Sequence, residues 1–295
     1  MKVVHSTFPI LHSHFTFPAL PLPPLPLRCM SSLEIIILAI IQGLTEFLPV
    51  SSSGHLVVAN AILQSLGGGP APDLIEVSVV LHLGTLAAVL VFYRRQIVRL
   101  LTSDRRAIVP LIIATIPAGV IGVYIEKGLP EATKDVILES PLVAGLMFLV
   151  TALGLWWASR RPHSEGHYTD LRPRQALAIG FLQAFAILPG ISRSGATIVG
   201  GLGAGLSRES AAAFSFLMAI PVIGGAGLLK IKDAVDTGTT STPVPTLALG
   251  FVVSMLVGIA ALWLLLRMLR RGRLELFVYY LVPLGIAVTS WQLLK

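Results

Sequence analysis

Charge is the scarcest commodity in this 295-residue sequence: Asp, Glu, Lys and Arg together make up 13% of it. Soluble domains carry about 25%. With a mean hydropathy of +0.82, so small a solubilising complement excludes an ordinary cytosolic enzyme and a disordered chain. It also excludes a nucleic-acid binder relying on a broad basic face. Cysteine is confined to Cys29, which rules out a disulfide framework and any cysteine-based metal centre. Acids are few, 15 against 22 Lys and Arg, for a net charge of +7. That excess could point to acidic partners, but the placement of the basic residues gives it another meaning.

What the sequence does have is apolar runs long enough to cross a ~30 Å hydrocarbon layer as helices. Six lie at roughly 74–93, 107–125, 141–158, 210–229, 246–266 and 274–294. Two more regions, about 33–65 and 175–206, are apolar but broken in the middle by Pro and a Ser/Gly cluster. Broken backbone at membrane depth is tolerable only where protein buries it or it lines a wet cavity. Both regions are therefore predicted to be re-entrant helix–turn–helix hairpins. The expected fold is all-α integral membrane, with six transmembrane helices plus two re-entrant hairpins.

The basic residues test this layout. Loops 94–106, 159–174 and 267–273 hold five, four and four Arg, whereas loops 126–140 and 230–245 hold two Lys each, offset by acids. Thirteen against four, in strict alternation, is a positive-inside pattern. It places the Arg loops in the cytoplasm and both termini outside, so the net charge records topology.

An internal repeat follows. LPVSSSG (48–54) resembles LPGISRSG (188–195), each lies ahead of three spans, and each has a Gln upstream, Gln42 and Gln183. A hairpin makes no net crossing and three spans make an odd number, so the second repeat (about 175–295) is inverted relative to the first (about 30–160). The two Ser/Gly turns would then meet near the midplane, where transporters built from inverted repeats place their ligands. Residues 30–295 form a single membrane domain. Residues 1–29, with six Pro, three His and no acid, lack the uninterrupted apolar core of a signal peptide. They read as a start set too early at Met1 rather than Met30, or else as a disordered tail.

Ionisable residues inside membrane segments are costly and default to functional candidates. They are Glu46, His55, Glu76, His82 and Arg193, with Arg208 and Glu209 at the margin. Gln42 and Glu46 share one helix face, a turn apart. Pro49 ends that helix, Ser51, Ser52, Ser53 and Gly54 make the turn, and His55 opens the next helix, whose free N–H groups favour an anion. Ser192, Arg193, Ser194, Gly195 and Thr197 offer the same geometry with a guanidinium suited to bidentate phosphate contact added. Together they suggest a phosphate ester, with Ser52, Ser53, Ser192, Ser194 and Thr197 as hydroxyl donors or simply helix caps. Glu46 alone would repel phosphate, which implies a bridging divalent cation, Mg2+ or Ca2+, or a proton-handling role. A serine nucleophile needs an adjacent base, and His55 is close enough to Ser53 in sequence to serve. Attack by Ser53, by His55 or by water stays open. Glu76 and His82 are as readily structural.

QGLTEFLPVSSSGH (42–55) and LPGISRSGATI (188–198) closely resemble the two signature motifs of the undecaprenyl-diphosphate phosphatase family, the bacitracin-resistance proteins. The resemblance extends to SRESAAAFSFLMAIP (207–221) and EVSVVLHLGTLAAV (76–89), and so to nearly the whole chain from Met30. It implies a multi-pass inner-membrane enzyme, its active site towards the outer face. Such an enzyme removes the terminal phosphate of undecaprenyl diphosphate and so recycles the lipid carrier of cell-wall synthesis. The resemblance implies Glu46 and Gln42 at a divalent cation, Glu46, His55, Ser53 and Arg193 in catalysis, and a polyprenyl diphosphate as partner in the lipid. Gln42 stands where the family tolerates Glu or Gln, leaving Glu46 as that motif's one carboxylate here and weakening a two-carboxylate metal mechanism. Assembly as a homodimer is left open. The rival reading is a transporter or flippase of a lipid phosphate. Against it, Glu46 and His55 have no counterpart in the second hairpin and Arg193 has none in the first, an asymmetry that suits chemistry better than passage.

Overall fold

A computed structural model describes residues 31–65, 74–237 and 242–295, and these are almost entirely helical. The N-terminal 29-residue extension of the sequence reading lies outside the described residues. α1 (Ser32–Phe47) begins at a capping box in which Ser31 and Glu34 satisfy each other's backbone N–H groups. It stops ahead of Pro49, and α2 (Ser52–Ser65) follows after four residues. The other ordered helices are α3 (Leu74–Phe92), α4 (Arg94–Leu101), α5 (Ile108–Gly128), α6 (Glu131–Leu138) and α7 (Pro141–Ser159). Then come α8 (Pro173–Phe185), α9 (Arg193–Gly203), α10 (Arg208–Thr237), α11 (Val244–Arg270) and α12 (Glu275–Leu293). Proline sets several starts: Pro141 and Pro173 occupy first helical turns, where the missing N–H costs nothing.

Among the described residues, five helices are each long and apolar enough to cross a membrane: Arg105–Gly128, which includes α5, and those of α7, α10, α11 and α12. A sixth candidate is α3 continued by α4, the two axes differing by 68°. The six expected apolar runs all coincide with helices, while the amphipathic α4 was not anticipated as a separate element.

The order of packing is symmetrical. α1 packs on α11 and α8 on α5; α3 packs on α11 and α10 on α5; α7 pairs with α12, and α3 with α10. Exchanging α1 with α8, α3 with α10, α5 with α11 and α7 with α12 leaves this set of pairs unchanged. Small residues permit the approach, as expected where lipid supplies no hydrophobic drive between helices. At Gly180 on α8, a Cβ would stand 2.5 Å from the Ala114 carbonyl oxygen of α5. A core of Phe47, Tyr93, Phe148, Phe214 and Phe216 fills the centre beside the two short helix pairs.

Candidate active site

The buried faces of α1 and α8 share one pattern displaced by 141 positions: Gln42 matches Gln183, and Gly43 matches Ala184, all buried. The same displacement carries Ser51-Ser52-Ser53-Gly54 onto Ser192-Arg193-Ser194-Gly195. The local geometry agrees. Ser51 Oγ accepts from the Gly54 N–H at 3.3 Å, and Ser192 Oγ from the Gly195 N–H at 3.1 Å. Each serine also touches the hydroxyl two residues on, Ser53 at 3.3 Å and Ser194 at 3.1 Å. Two of these hydroxyls are therefore N-caps in fact.

The two turns lock into each other. The Gly190 N–H donates to Ser51 Oγ at 3.2 Å, and Thr151 Oγ1 on α7 donates to the Gly190 carbonyl at 2.8 Å while accepting from the Ser192 N–H at 3.2 Å. Ser51 (φ 69°) and Gly190 (φ +94°) take the left-handed backbone that lets each turn fold under the other. A Cβ at Gly54 would stand 2.6 Å from the Gly190 nitrogen, and one at Gly195 would stand 3.2 Å from Pro49 Cβ.

Across this junction Glu46 meets Arg193. Arg193 Nη2 donates to Glu46 Oε1, and Gln42 Nε2 donates to Oε2 at 3.0 Å. His82 on α3 brings its Nε2 to 3.7 Å from Oε2, its ring fixed by Nδ1–H donation to the Ser78 carbonyl at 2.7 Å. Arg193 Nη1 is buried without a partner. A small cavity of ≈ 50 Å³ opens beside these groups, lined by Glu46, Arg193, Ser51, Ser52, Ser53 and Ser192, with Thr45, Ala186 and Ile191. One recess thus gathers a buried guanidinium arm, the Glu46 carboxylate, serine hydroxyls and two helix starts.

Of the sequence-derived candidates, Gln42, Glu46, Ser52, Ser53, Ser192, Ser194 and Arg193 thus come together. His55 does not line the cavity. Its Nδ1–H donates to the Ser51 carbonyl at 2.6 Å, its Nε2 lies 2.7 Å from the Tyr280 hydroxyl on α12, and its ring stacks on Tyr280 and meets Phe148 edge-on. Ser53 is exposed and pairs with Ser51, and no hydrogen bond joins it to His55. Thr197 is fully buried, its hydroxyl engaged by the Arg193 carbonyl and by Ser215 Oγ at 2.6 Å. Glu209 pairs with Arg270, and Arg208 lies against Gly272, both on other helix ends. The side chain of Glu76 lies outside the described residues. His82, for which a functional and a structural role stood equal, joins the site, and so does Thr151, which was not singled out; Tyr280, not singled out either, meets only His55. A histidine inside an apolar run was a signal for His82, whereas Thr151 and Tyr280 carry none. Among the described residues no three acidic, His or Cys side chains gather in a way that would cage a metal ion.

The family model described as "Bacitracin resistance protein BacA" matches residues 35–287. The undecaprenyl-diphosphatase of Rhodopirellula baltica is 45% identical over 262 residues, covering 88% of this chain and 98% of that protein. Those of Moorella thermoacetica and Desulfatibacillum aliphaticivorans are 38% and 42% identical, each likewise covering 88% of this chain and 98% of the relative.

Proposed function

The chain belongs to the bacitracin resistance protein BacA family, and on that premise we propose how its site works. It is a multi-pass membrane hydrolase that removes the terminal phosphate of undecaprenyl diphosphate. Water enters, and undecaprenyl phosphate and inorganic phosphate leave. The observation that carries the site assignment is the unpartnered, buried Nη1 of Arg193 beside a recess of hydroxyls. An uncompensated buried donor costs about 1–3 kcal/mol, and a phosphate oxygen would satisfy it.

In this reading Arg193 clamps the phosphate undergoing transfer, and its other arm is held in place by Glu46. Ser52, Ser53 and Ser192 with the helix starts of α2 and α9 supply further donors. They face charge that grows on the phosphoryl oxygens in the transition state, which is where fixed donors contribute most. Thr197 holds α9 against α10 and orients Arg193 from behind. Ser53 makes no hydrogen bond to His55, whose ring nitrogens are engaged by the Ser51 carbonyl and the Tyr280 hydroxyl, which favours attack by water. An Mg2+ or Ca2+ ion would be held by Glu46 and Gln42, and would supply positive charge that neutralises the phosphate.

The membrane arrangement proposed is six spans with two re-entrant hairpins. α1, α2, α8 and α9 have 16, 14, 13 and 11 residues. At 1.5 Å per residue they reach only about 16–24 Å, short of the ~30 Å layer. The exchange symmetry of the helix pairs supports an inverted repeat, and the Arg loops favour a site open to the outer face. Alternating access by a flippase would use the same symmetry. The contents of the two tips differ, however: Glu46 corresponds to Ile187 in the repeat, and Arg193 to Ser52. The decisive experiment is phosphate release from undecaprenyl diphosphate by purified protein in detergent, where transport is abolished. Release at a catalytic rate supports the hydrolase, and none supports the flippase.

A further inference from the structure

A second cavity, ≈ 730 Å³, lies away from the hairpin tips between α4, α5 and α10. Its volume is within the ~300–1,000 Å³ of typical ligand sites. Ile97 and Leu101 of α4 roof it, Leu111 and Ile116 of α5 and Leu217 and Ile220 of α10 wall it. Thr115 is the polar side chain in the lining, and its hydroxyl is already spent on the Leu111 carbonyl at 2.8 Å. The interior therefore asks for a hydrocarbon chain.

The mouth asks for an anion. α4 turns 68° away from α3 and is amphipathic: Ile97, Leu100 and Leu101 face the groove, while Arg95 and Arg99, a turn apart, are exposed on the other side. Arg105 folds over the rim, its Nε donating to the Leu101 carbonyl at 2.7 Å, and Arg94 donates to the Val91 carbonyl at 3.0 Å. The acid of the 94–106 segment, Asp104, is engaged by the Tyr168 hydroxyl at 2.7 Å and by Ser103 at 2.8 Å. The guanidiniums thus keep a net positive field at the groove entrance.

We propose that this groove is a binding site for an anionic phospholipid. One acyl chain lies under α4 between α5 and α10, and the phosphate sits by Arg105 at the Leu101 end of α4, with Arg94 adding positive charge from the other end. Basic pockets between membrane helices take acidic headgroups on this principle. The substrate's own tail is a poorer occupant. Its diphosphate must sit at Arg193, so the end that could reach this groove is neutral and has no use for guanidinium groups. A zwitterionic lipid would bring its cation against the same arginines.

Gly119 lines the groove, and a Cβ there would meet nothing within 4 Å. Gly119→Leu therefore puts a side chain into the groove at a position open to a Cβ. The test is thermal unfolding of the purified full chain in detergent with added phosphatidylglycerol or phosphatidylcholine of matched chains. Phosphatidylglycerol is expected to raise Tm by several degrees more than phosphatidylcholine. That difference should vanish in Gly119→Leu and in Arg94→Ala/Arg105→Ala, with lipid-free Tm unchanged. Equal shifts by the two lipids, or a selective shift kept by either variant, would overturn the proposal. So would a Gly119→Leu protein whose KM rises for undecaprenyl diphosphate but not for a short-chain prenyl diphosphate, which would make the groove a channel for the substrate tail.

Discussion

Glu46 and Arg193 face each other with side chains only 8% and 17% exposed, and two roles compete for the pair. If Arg193 clamps the transferring phosphate, Arg193→Ala should lower turnover by roughly 10²–10³, the usual loss on removing one transition-state charge stabiliser. Arg193→Lys should stay poor, because a point charge cannot hold Glu46 with one fixed arm and the phosphate with another. If the pair is only structural, each single alanine variant should unfold early, since an orphaned buried charge costs about 3–5 kcal/mol. Arg193→Ala/Glu46→Ala would then regain both stability and activity. Phosphate release and thermal unfolding of the singles and the double decide between the two: a stable but inactive double mutant is the outcome expected.

Between elements, the hairpin tips depend on two glycines that are equivalent in sequence but not in space. Gly54→Ala drives a methyl into the Gly190 backbone, which has no side chain to swing aside, whereas Gly195→Ala presses on Pro49 and Ser192 Cβ atoms at a less severe distance. Gly54→Ala should therefore separate the tips, lowering Tm and abolishing phosphate release, and Gly195→Ala should cost clearly less of both. A second junction ties the α4–α5 turn to the segment before α8. The Tyr168 hydroxyl, with Ser103, holds the Asp104 carboxyl below its usual range. Burial, then the carboxylate itself, pushes the Tyr168 phenol upward. A depressed acid contributes stability above its unfolded pKa and loses it as pH falls through the folded value. Unfolding followed from pH 7 towards pH 3 should show this loss in the wild type and less of it in Tyr168→Phe. The size should be under about 1 kcal/mol, because the carboxylate is only partly buried.

For the molecule as a whole, the proposed topology puts the Arg loops inside and the site towards the outer face. In a Cys29→Ser background, Ser103→Cys stands in the turn before α5 and Thr133→Cys on α6, which follows it. An impermeant thiol reagent applied from outside should label Thr133→Cys and spare Ser103→Cys until the membrane is opened. Labelling of both from one face would remove the inverted repeat together with the outward-facing site.

The six apolar runs, the two broken regions and the residues of both tips were legible in the sequence, because hydropathy over ~20 residues and Pro/Ser/Gly punctuation are local properties. So were Glu46 and Arg193, since charge in an apolar segment is conspicuous wherever it folds. Which groups those two would meet was not local. His82 reaches Glu46 from a helix more than thirty residues on, and Thr151 bridges the second tip through a hydroxyl no different in sequence from any other threonine. His55, four positions from Ser51, was expected beside the tip hydroxyls. Helix α2 instead turns its ring towards Tyr280, 225 residues away, because the side of a short helix that faces the recess depends on what packs against it. Composition and pattern determined that this chain would embed two charged, hydroxyl-rich breaks in a helical membrane domain. Tertiary packing decided which donors converge on one recess, since convergence depends on distances between segments that no spacing along the chain encodes.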